Sequence, residues 1–262
     1  ADELFVYNTM AFVGKNASGK TTAIELLDCC YSILGDFRLE NKHYDYENIE
    51  LEIIFYYEGF VYRYVTTLKS DSTMGNKATF TNEHIYRKKY FKSYVSEIFN
   101  IEGFVELTDL GDLPEDTSNV FFVLKKKATR ALYFDCEGEG VDTYQLLFKA
   151  LKNYKISKDT LSTIIQIFDE NIQKLDMIDE HNYKLVYQNE TKVLSDKELI
   201  YLMSSGTTKG MFLYTLVVAS LERGFDLLID EVENHFHKSL VENLITLYKD
   251  KFVNLNNASL IF

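Results

Sequence analysis

The sequence predicts an α/β fold in which a mixed sheet with helices is accompanied by an antiparallel β subdomain and an inserted helical lobe. Three observations predict it. A short apolar stretch at Met10 to Val13 runs into a glycine-containing loop, and from Lys20 the apolar spacing changes to Ala23, Ile24, Leu27, Cys30 and Leu34, one face of a helix. Ile49 to Phe55 alternates apolar and acidic residues, and after Glu58-Gly59 the run Phe60 to Thr67 reads as the return strand of a hairpin. Phe225 to Ile229 is a continuous apolar strand, followed by a helix carrying Leu240, Leu244, Leu247 and Phe252 and by a last strand at Ser259 to Phe262.

Between these ends the signals are mixed. Gly35 reads as the natural stop of the first helix. Tyr86 to Phe99 fits a helix, and Asp109 to Asn119 reads as a loop around Pro114, the only proline. Asp142 to Asn153 reads as helix, and Leu161, Ile164, Ile165, Phe168, Ile172 and Leu175 form one apolar stripe beginning after Ser157. Tyr183 to Tyr187 and Thr191 to Leu194 suggest a small hairpin. The next helix, Thr207 to Leu221, is apolar nearly all round from Met211 to Ala219 and is expected to be buried. The expected division is a core with its β subdomain at residues 1–68 and 200–262, and an inserted, largely helical lobe with a small hairpin at 69–199.

Bulk properties narrow the classes. With 262 residues, 46% of them hydrophobic, the chain can bury one sizeable core. A formal charge of −12 argues against a surface coated for nucleic acid, because neutralising phosphates needs clustered Lys and Arg. Three cysteines, two of them adjacent at Cys29 and Cys30, form neither a disulfide framework nor a zinc spacing and suit the reducing cytoplasm. No apolar run approaches the roughly 18 residues that cross a bilayer, so no membrane partner is expected.

Three motifs carry chemistry. Gly14-Lys15-Asn16-Ala17-Ser18-Gly19-Lys20-Thr21 fits the phosphate-binding pattern GxxxxGK[ST] in the strand-to-helix context that pattern requires, with Thr22 following on the helix. Backbone amides of such a loop hold phosphate oxygens, Lys20 reaches the terminal phosphates and the Thr21 hydroxyl faces Mg²⁺. Leu227-Leu228-Ile229-Asp230-Glu231 delivers two carboxylates at the C-terminal end of a strand, where open α/β sheets bind ligands. Asp230 is expected in the Mg²⁺ shell and Glu231 as the catalytic residue that orients or deprotonates water. Met203-Ser204-Ser205-Gly206-Thr207 starts the buried helix, and a serine hydroxyl, a small glycine and a helix N-terminus together make an anion site.

This series, with its tail Asp230-Glu231-Val232-Glu233-Asn234-His235-Phe236-His237, resembles ABC ATPases of the OLD, RecF and SMC-like branch, among them ATPases of bacterial antiphage defence. The resemblance implies the head of a P-loop NTPase that binds ATP with Mg²⁺ and hydrolyses it slowly. It implies a homodimer or higher homo-oligomer, in which Ser204, Ser205 and Gly206 reach in trans the nucleotide held by the partner, and Val232 to His237 line the interface as a D-loop. The resemblance further implies a conformational switch that controls an effector nuclease or toxin, with DNA repair or handling as the alternative. Transporter ATPases are a poorer match, since about 180 residues separate Lys20 from Ser204. The resemblance implies a leading strand with an Asn-Phe-(Lys/Arg)-Ser-Phe-like turn, for which Leu4 to Asn8 offer only remnants, and a switch histidine after the strand at Ser259 to Phe262, so the sequence is expected to be incomplete at both ends. Gln145, Gln166, Gln173 and Gln188 lie in the wrong region for a Q-loop.

Other clusters carry blander readings. His235 and His237 with Glu233 are more simply interface residues than a metal pair. Lys125-Lys126-Lys127 with Arg130 reads as a solvated charged face, and Asp135 to Gly140 as a solvated acidic turn.

Overall fold

A computed structural model describes residues 7–39, 46, 48–71, 77–92, 96, 98–124, 131–134, 143–232 and 236–262. The chain divides into two compact units, one within residues 25–131 and the other formed by 7–24 with 132–262. The basic run at 125–130 and the acidic turn at 135–140 lie outside the described residues, as do Glu233 and His235.

In the first unit the strands β2 (Ile49–Tyr57), β3 (Phe60–Asp71), β4 (Lys77–Lys89) and β5 (Val105–Glu106) form an antiparallel sheet in that order, β1 lying in the other unit. The alternation in β2 has the expected result, with Leu51 and Ile53 buried and Glu50 and Glu52 exposed. The β2–β3 hairpin closes through Glu58 and Gly59, at φ 46° and 85°. Positive φ at both central residues matches the right-handed twist of the flanking strands. Cys29, Ile33 and Leu34 of helix α1 (Lys20–Asp36) join Tyr62, Tyr64, Leu68 and Phe80 in this unit's core. Gly35 does not stop α1; the chain turns after it at Phe37, φ 62°. Burial pushes the Cys30 thiol up to about 11, so it is neutral near pH 7.

Tyr86 to Tyr90, expected in a helix, belong instead to β4 and its end. The cause is cross-strand pairing. Tyr86, Arg87, Lys88 and Lys89 face Arg63, Tyr62, Val61 and Phe60 in register, and pairing of this length overrides the weak 3.6-residue spacing of the segment. Opposite Thr66 the strand carries two residues, Asn82 and Glu83, for one. This bulge, with Asn82 at φ 52°, swings Glu83 inward. There it accepts from the Tyr64 hydroxyl at 2.5 Å and the Asn119 amide at 2.9 Å, while the Ser118 hydroxyl donates to the Tyr64 oxygen at 2.8 Å. Burial, then the Glu83 charge, holds the Tyr64 phenol well above its usual range.

In the second unit β1 (Thr9–Met10), β11 (Leu260–Ile261), β10 (Asp226–Ile229) and β6 (Ala131–Phe134) form a sheet in the order β1-β11-β10-β6. Both β1 and β10 run parallel to β11. Helices α2 (Thr143–Tyr154) and α3 (Lys158–Phe168) contribute to the core around α5 (Ser205–Arg223), whose residues from Thr207 to Leu221 are buried almost without interruption. Gly210 permits that packing, because a side chain there would run into the Phe168 ring.

The stripe expected as one helix is split. After α3 ends, Ile172 and Leu175 lie on β7 (Ile172–Met177), the first strand of a meander with β8 (Asn182–Tyr187) and β9 (Glu190–Ser195). Helix α4 (Asp196–Leu202) follows, opened by a capping box between Ser195 and Glu198. Ser162 fixes the change of element by donating to the Leu175 carbonyl at 3.2 Å and accepting its amide at 3.1 Å.

Helix α6 (Lys238–Lys249) leads into β11 through a buried clamp. The Asn254 amide group donates to Tyr248 O at 2.9 Å and Ala258 O at 2.8 Å, and its oxygen accepts Ala258 N at 2.8 Å. Replacing Asn254 with Leu removes the partner of Tyr248 O and of Ala258 N, while Ala258 O keeps the Asn8 side-chain amide at 3.1 Å. The variant is expected to lose roughly 2–4 kcal/mol, read as a lower urea midpoint with an unchanged denaturant slope.

Candidate functional site

The site is built where β1 and β10 both end. Parallel pairing with β11 brings the two C-terminal ends to one edge of the sheet, and the ladder continues past the short strands. Leu260 N donates to Asn8 O at 2.8 Å, Phe262 N to Met10 O at 3.0 Å and Phe12 N to Phe262 O at 2.6 Å. These bonds hold the chain up to two residues before Gly14.

The glycine loop is a sequence of tight turns. Ser18 N donates to Lys15 O at 3.1 Å, with Ala17 at φ 60° and Gly19 at φ 83°. Alternating right- and left-handed backbone of this kind turns successive amides inward and makes a concavity for anions. Ala23 N then takes Gly19 O at 3.0 Å and α1 begins. No acidic residue occupies the first turn of α1, so its N-terminal dipole is uncompensated. The Lys20 ammonium lies back over the loop, donating to Gly14 O at 3.2 Å and Lys15 O at 3.4 Å.

At the end of β10 the Asp230 carboxylate accepts Glu231 N at 3.0 Å, and Glu231 has φ 49°. A left-handed glutamate is uncommon and costs about 1 kcal/mol or more. The bond to Asp230 supports that conformation, and it couples the settings of the two carboxylates.

Of the residues singled out in the sequence, Gly14, Lys20, Asp230 and Glu231, with Val232 of the expected D-loop, line one cavity of about 260 Å³. Its remaining walls, including Val13, Ile24, Val241 and Phe262, carried no signal of a site, because apolar residues at helix and strand spacing read as core. Lys15, Asn16, Ala17, Ser18, Gly19, Thr21 and Thr22 form the exposed loop and first turn that continue from it. Two carboxylates, a threonine hydroxyl, an ammonium and inward-turned amides make a donor set that fits a phosphate chain with Mg²⁺. Among the described residues no group of three His, Cys, Asp or Glu is arranged to hold a metal by itself.

Ser204, Ser205 and Gly206 do not line this cavity. They form an exposed tip at the start of α5, next to Tyr201 and Leu202, which are 89% and 56% exposed. Ser204 caps the helix, its hydroxyl accepting Thr207 N at 3.0 Å. Part of the expected D-loop is interior rather than available to a partner. Val232 and Phe236 sit in the core of their own unit, 5% and 8% exposed, and the Phe236 ring lies 6.5 Å from the Phe168 ring of α3. His237 is exposed and caps α6.

Gly19 and Gly59 provide a matched pair for testing the loop, since both have strongly positive φ and open space around the missing side chain. Each Gly→Ala substitution is expected to cost about 1 kcal/mol of stability. Only Gly19→Ala should abolish the rise in melting temperature caused by Mg-ATP, as measured by differential scanning fluorimetry.

A search of curated proteins finds no match. A solved structure described as the SmcHead bound to the C-winged helix domain of ScpA is similar over 97% of this chain and 80% of that one, at 10% identity and a TM-score of 0.41. A family model described as "AAA domain, putative AbiEii toxin, Type IV TA system" matches residues 10–262, taking in the glycine loop, the Ser204 tip and the Asp230-Glu231 pair. The chain therefore belongs to this family of AAA-domain ATPases, in agreement with the ABC-type ATPase expected from the order of its motifs.

Proposed function

We propose that this protein binds ATP with Mg²⁺, hydrolyses it slowly, and acts as a conformational switch by pairing with a second copy of itself. The observation that carries the reading is the convergence of Gly14 and Lys20 with Asp230 and Glu231 on one cavity. All residues given a role here belong to the unit of 7–24 with 132–262.

The amides from Lys15 to Thr22 and the start of α1 bind the phosphates. Lys20 exchanges two neutral carbonyl acceptors for anionic phosphate oxygens, so that direct charge attraction is added to bonds that its ammonium already donates. Thr21 and Asp230 hold Mg²⁺, a pair of protein ligands that suits a cation which keeps several waters. When bound, Mg²⁺ supplies charge neutralisation across the phosphates. Glu231 orients the attacking water and accepts its proton.

The Ser204 tip has the chemistry of an anion site but does not line its own cavity, which supports a role toward a nucleotide held by another copy. A formal charge of −12 per copy opposes association without nucleotide, so that pairing depends on the ligand. The family description names a putative toxin of a type IV toxin–antitoxin system. That wording is compatible with a toxin–antitoxin setting, and the resemblance of the motifs to antiphage-defence ATPases supports a switch that controls an effector nuclease or toxin. A cytoplasmic location agrees with unbridged Cys29 and Cys30, and no helix among the described residues is long and apolar enough to cross a membrane.

Two experiments test the mechanism. Glu231→Gln should retain ATP and accumulate as a dimer or larger assembly in light scattering with Mg-ATP; a scattering mass equal to that of the nucleotide-free protein would remove the switch. The second uses Ser204→Asp, which keeps a good helix cap but sets a negative charge at the phosphate position. Lys20→Ala and Ser204→Asp should each be inactive alone. Mixed in equal amounts they should recover about a quarter of wild-type hydrolysis, because half of the dimers then hold one intact composite site. No recovery would show that the two motifs do not meet across copies.

A further inference from the structure

The unit within residues 25–131 contains a separate cavity of about 300 Å³, at the small end of the range for ligand pockets. It is lined by Val61 of β3, Lys88 and Lys89 at the end of β4, Tyr90 and Phe91 after it, and Ile98. Among the described residues of the lining Glu102 is the only acidic one, against Lys88 and Lys89, in a chain whose formal charge is −12.

Two features of this wall point to a ligand. First, the cations are held in place by aromatic rings. Lys88 lies 4.5 Å from the Phe104 ring centre and donates to Asn100 O at 2.6 Å, while the Lys89 ammonium lies 5.5 Å from the Phe91 ring centre. Second, Phe91 is 51% exposed and offers an aromatic surface for stacking. Tyr90 is the buried support of this wall: it is 6% exposed, its amide donates to Gly59 O at 2.9 Å, and its ring packs edge-on against Tyr56.

We propose that this cavity binds a nucleoside phosphate, as a free nucleotide or as the terminal residue of a single strand. The base stacks on Phe91, and the phosphate lies against Lys89. Aromatic stacking combined with a lysine contact is the way proteins take unpaired bases without reading their sequence. An acidic peptide would use the lysines but not the stacking surface, so Phe91 distinguishes the two.

The test uses the whole protein carrying Lys20→Ala, which silences the glycine loop and separates this site from the proposed ATPase function. Binding of 5′-phosphorylated octathymidylate labelled with fluorescein at its 3′ end is followed by anisotropy at low and moderate salt. Saturable binding is expected, weakened roughly tenfold by Lys89→Glu and about fivefold by Phe91→Ala, with affinity falling as salt rises. Competition by unlabelled thymidine monophosphate at similar concentration assigns the site to free nucleotides, and lack of competition assigns it to strand ends. Absence of saturable binding, or binding unchanged by both substitutions, overturns the proposal. A loss with Lys89→Glu but not Phe91→Ala also overturns it, in favour of an acidic partner.

Discussion

The parallel pairing of β11 between β1 and β10 is the constraint on which the candidate site depends. Only two residue pairs define each side of that ladder, yet they set the end of the strand that precedes the glycine loop beside the end of the strand that carries Asp230. Parallel strands send their C-terminal ends to the same edge, so separate segments of sequence deliver an anion-binding loop and two carboxylates to one place. The Asn254 clamp then matters as much as the site residues. It fixes the turn from α6 into β11 without contributing any group to the cavity.

The second requirement is a rigid support for the Ser204 tip. Helix α5 is buried on nearly every side and is tied at both ends. Ser204 caps its start, and at its end Gly224 takes φ 71° while the Asn256 side chain donates to the carbonyls of Leu221 and Glu222 at 2.9 and 2.8 Å. A buried helix tied in this way transmits displacement of its tip as a body. The tip itself is exposed and bordered by apolar side chains that its own unit leaves uncovered. An exposed, small-residue helix start on a buried helix is suited to meeting a second surface.

Left-handed backbone occurs in several settings. The pairs Glu58-Gly59 and Gln188-Asn189 have positive φ because two-residue hairpins of the favoured hand require it. Phe37, Asn48, Asp109, Lys155 and Asn257 have it in other loops and Asn82 at the β4 bulge, while Ala17, Gly19 and Glu231 have it at the candidate site. Glu231 is the telling case, since a hydrogen bond from its amide to Asp230 holds a conformation that glutamate rarely adopts.

The sequence by itself determined the chemistry-bearing motifs. Gly14 to Thr21 and Leu227 to Glu231 are contiguous, and a contiguous loop or strand end is specified by local residue preferences. The buried character of α5 and the hairpins at Glu58-Gly59 and 188–189 were legible for the same reason. Tertiary structure alone decided what depends on distant partners. The segment around Tyr86 became a strand because β3 offered it a full register of hydrogen bonds. The stripe from Leu161 to Leu175 broke because a strand meander completed the core where another turn of helix was expected. Ile24, Val241 and Phe262 became walls of a cavity, and Tyr90 came to bury a phenol without a partner. Apolar spacing records that a residue is covered, but which surface covers it is settled only when segments far apart in sequence compete for the same neighbours.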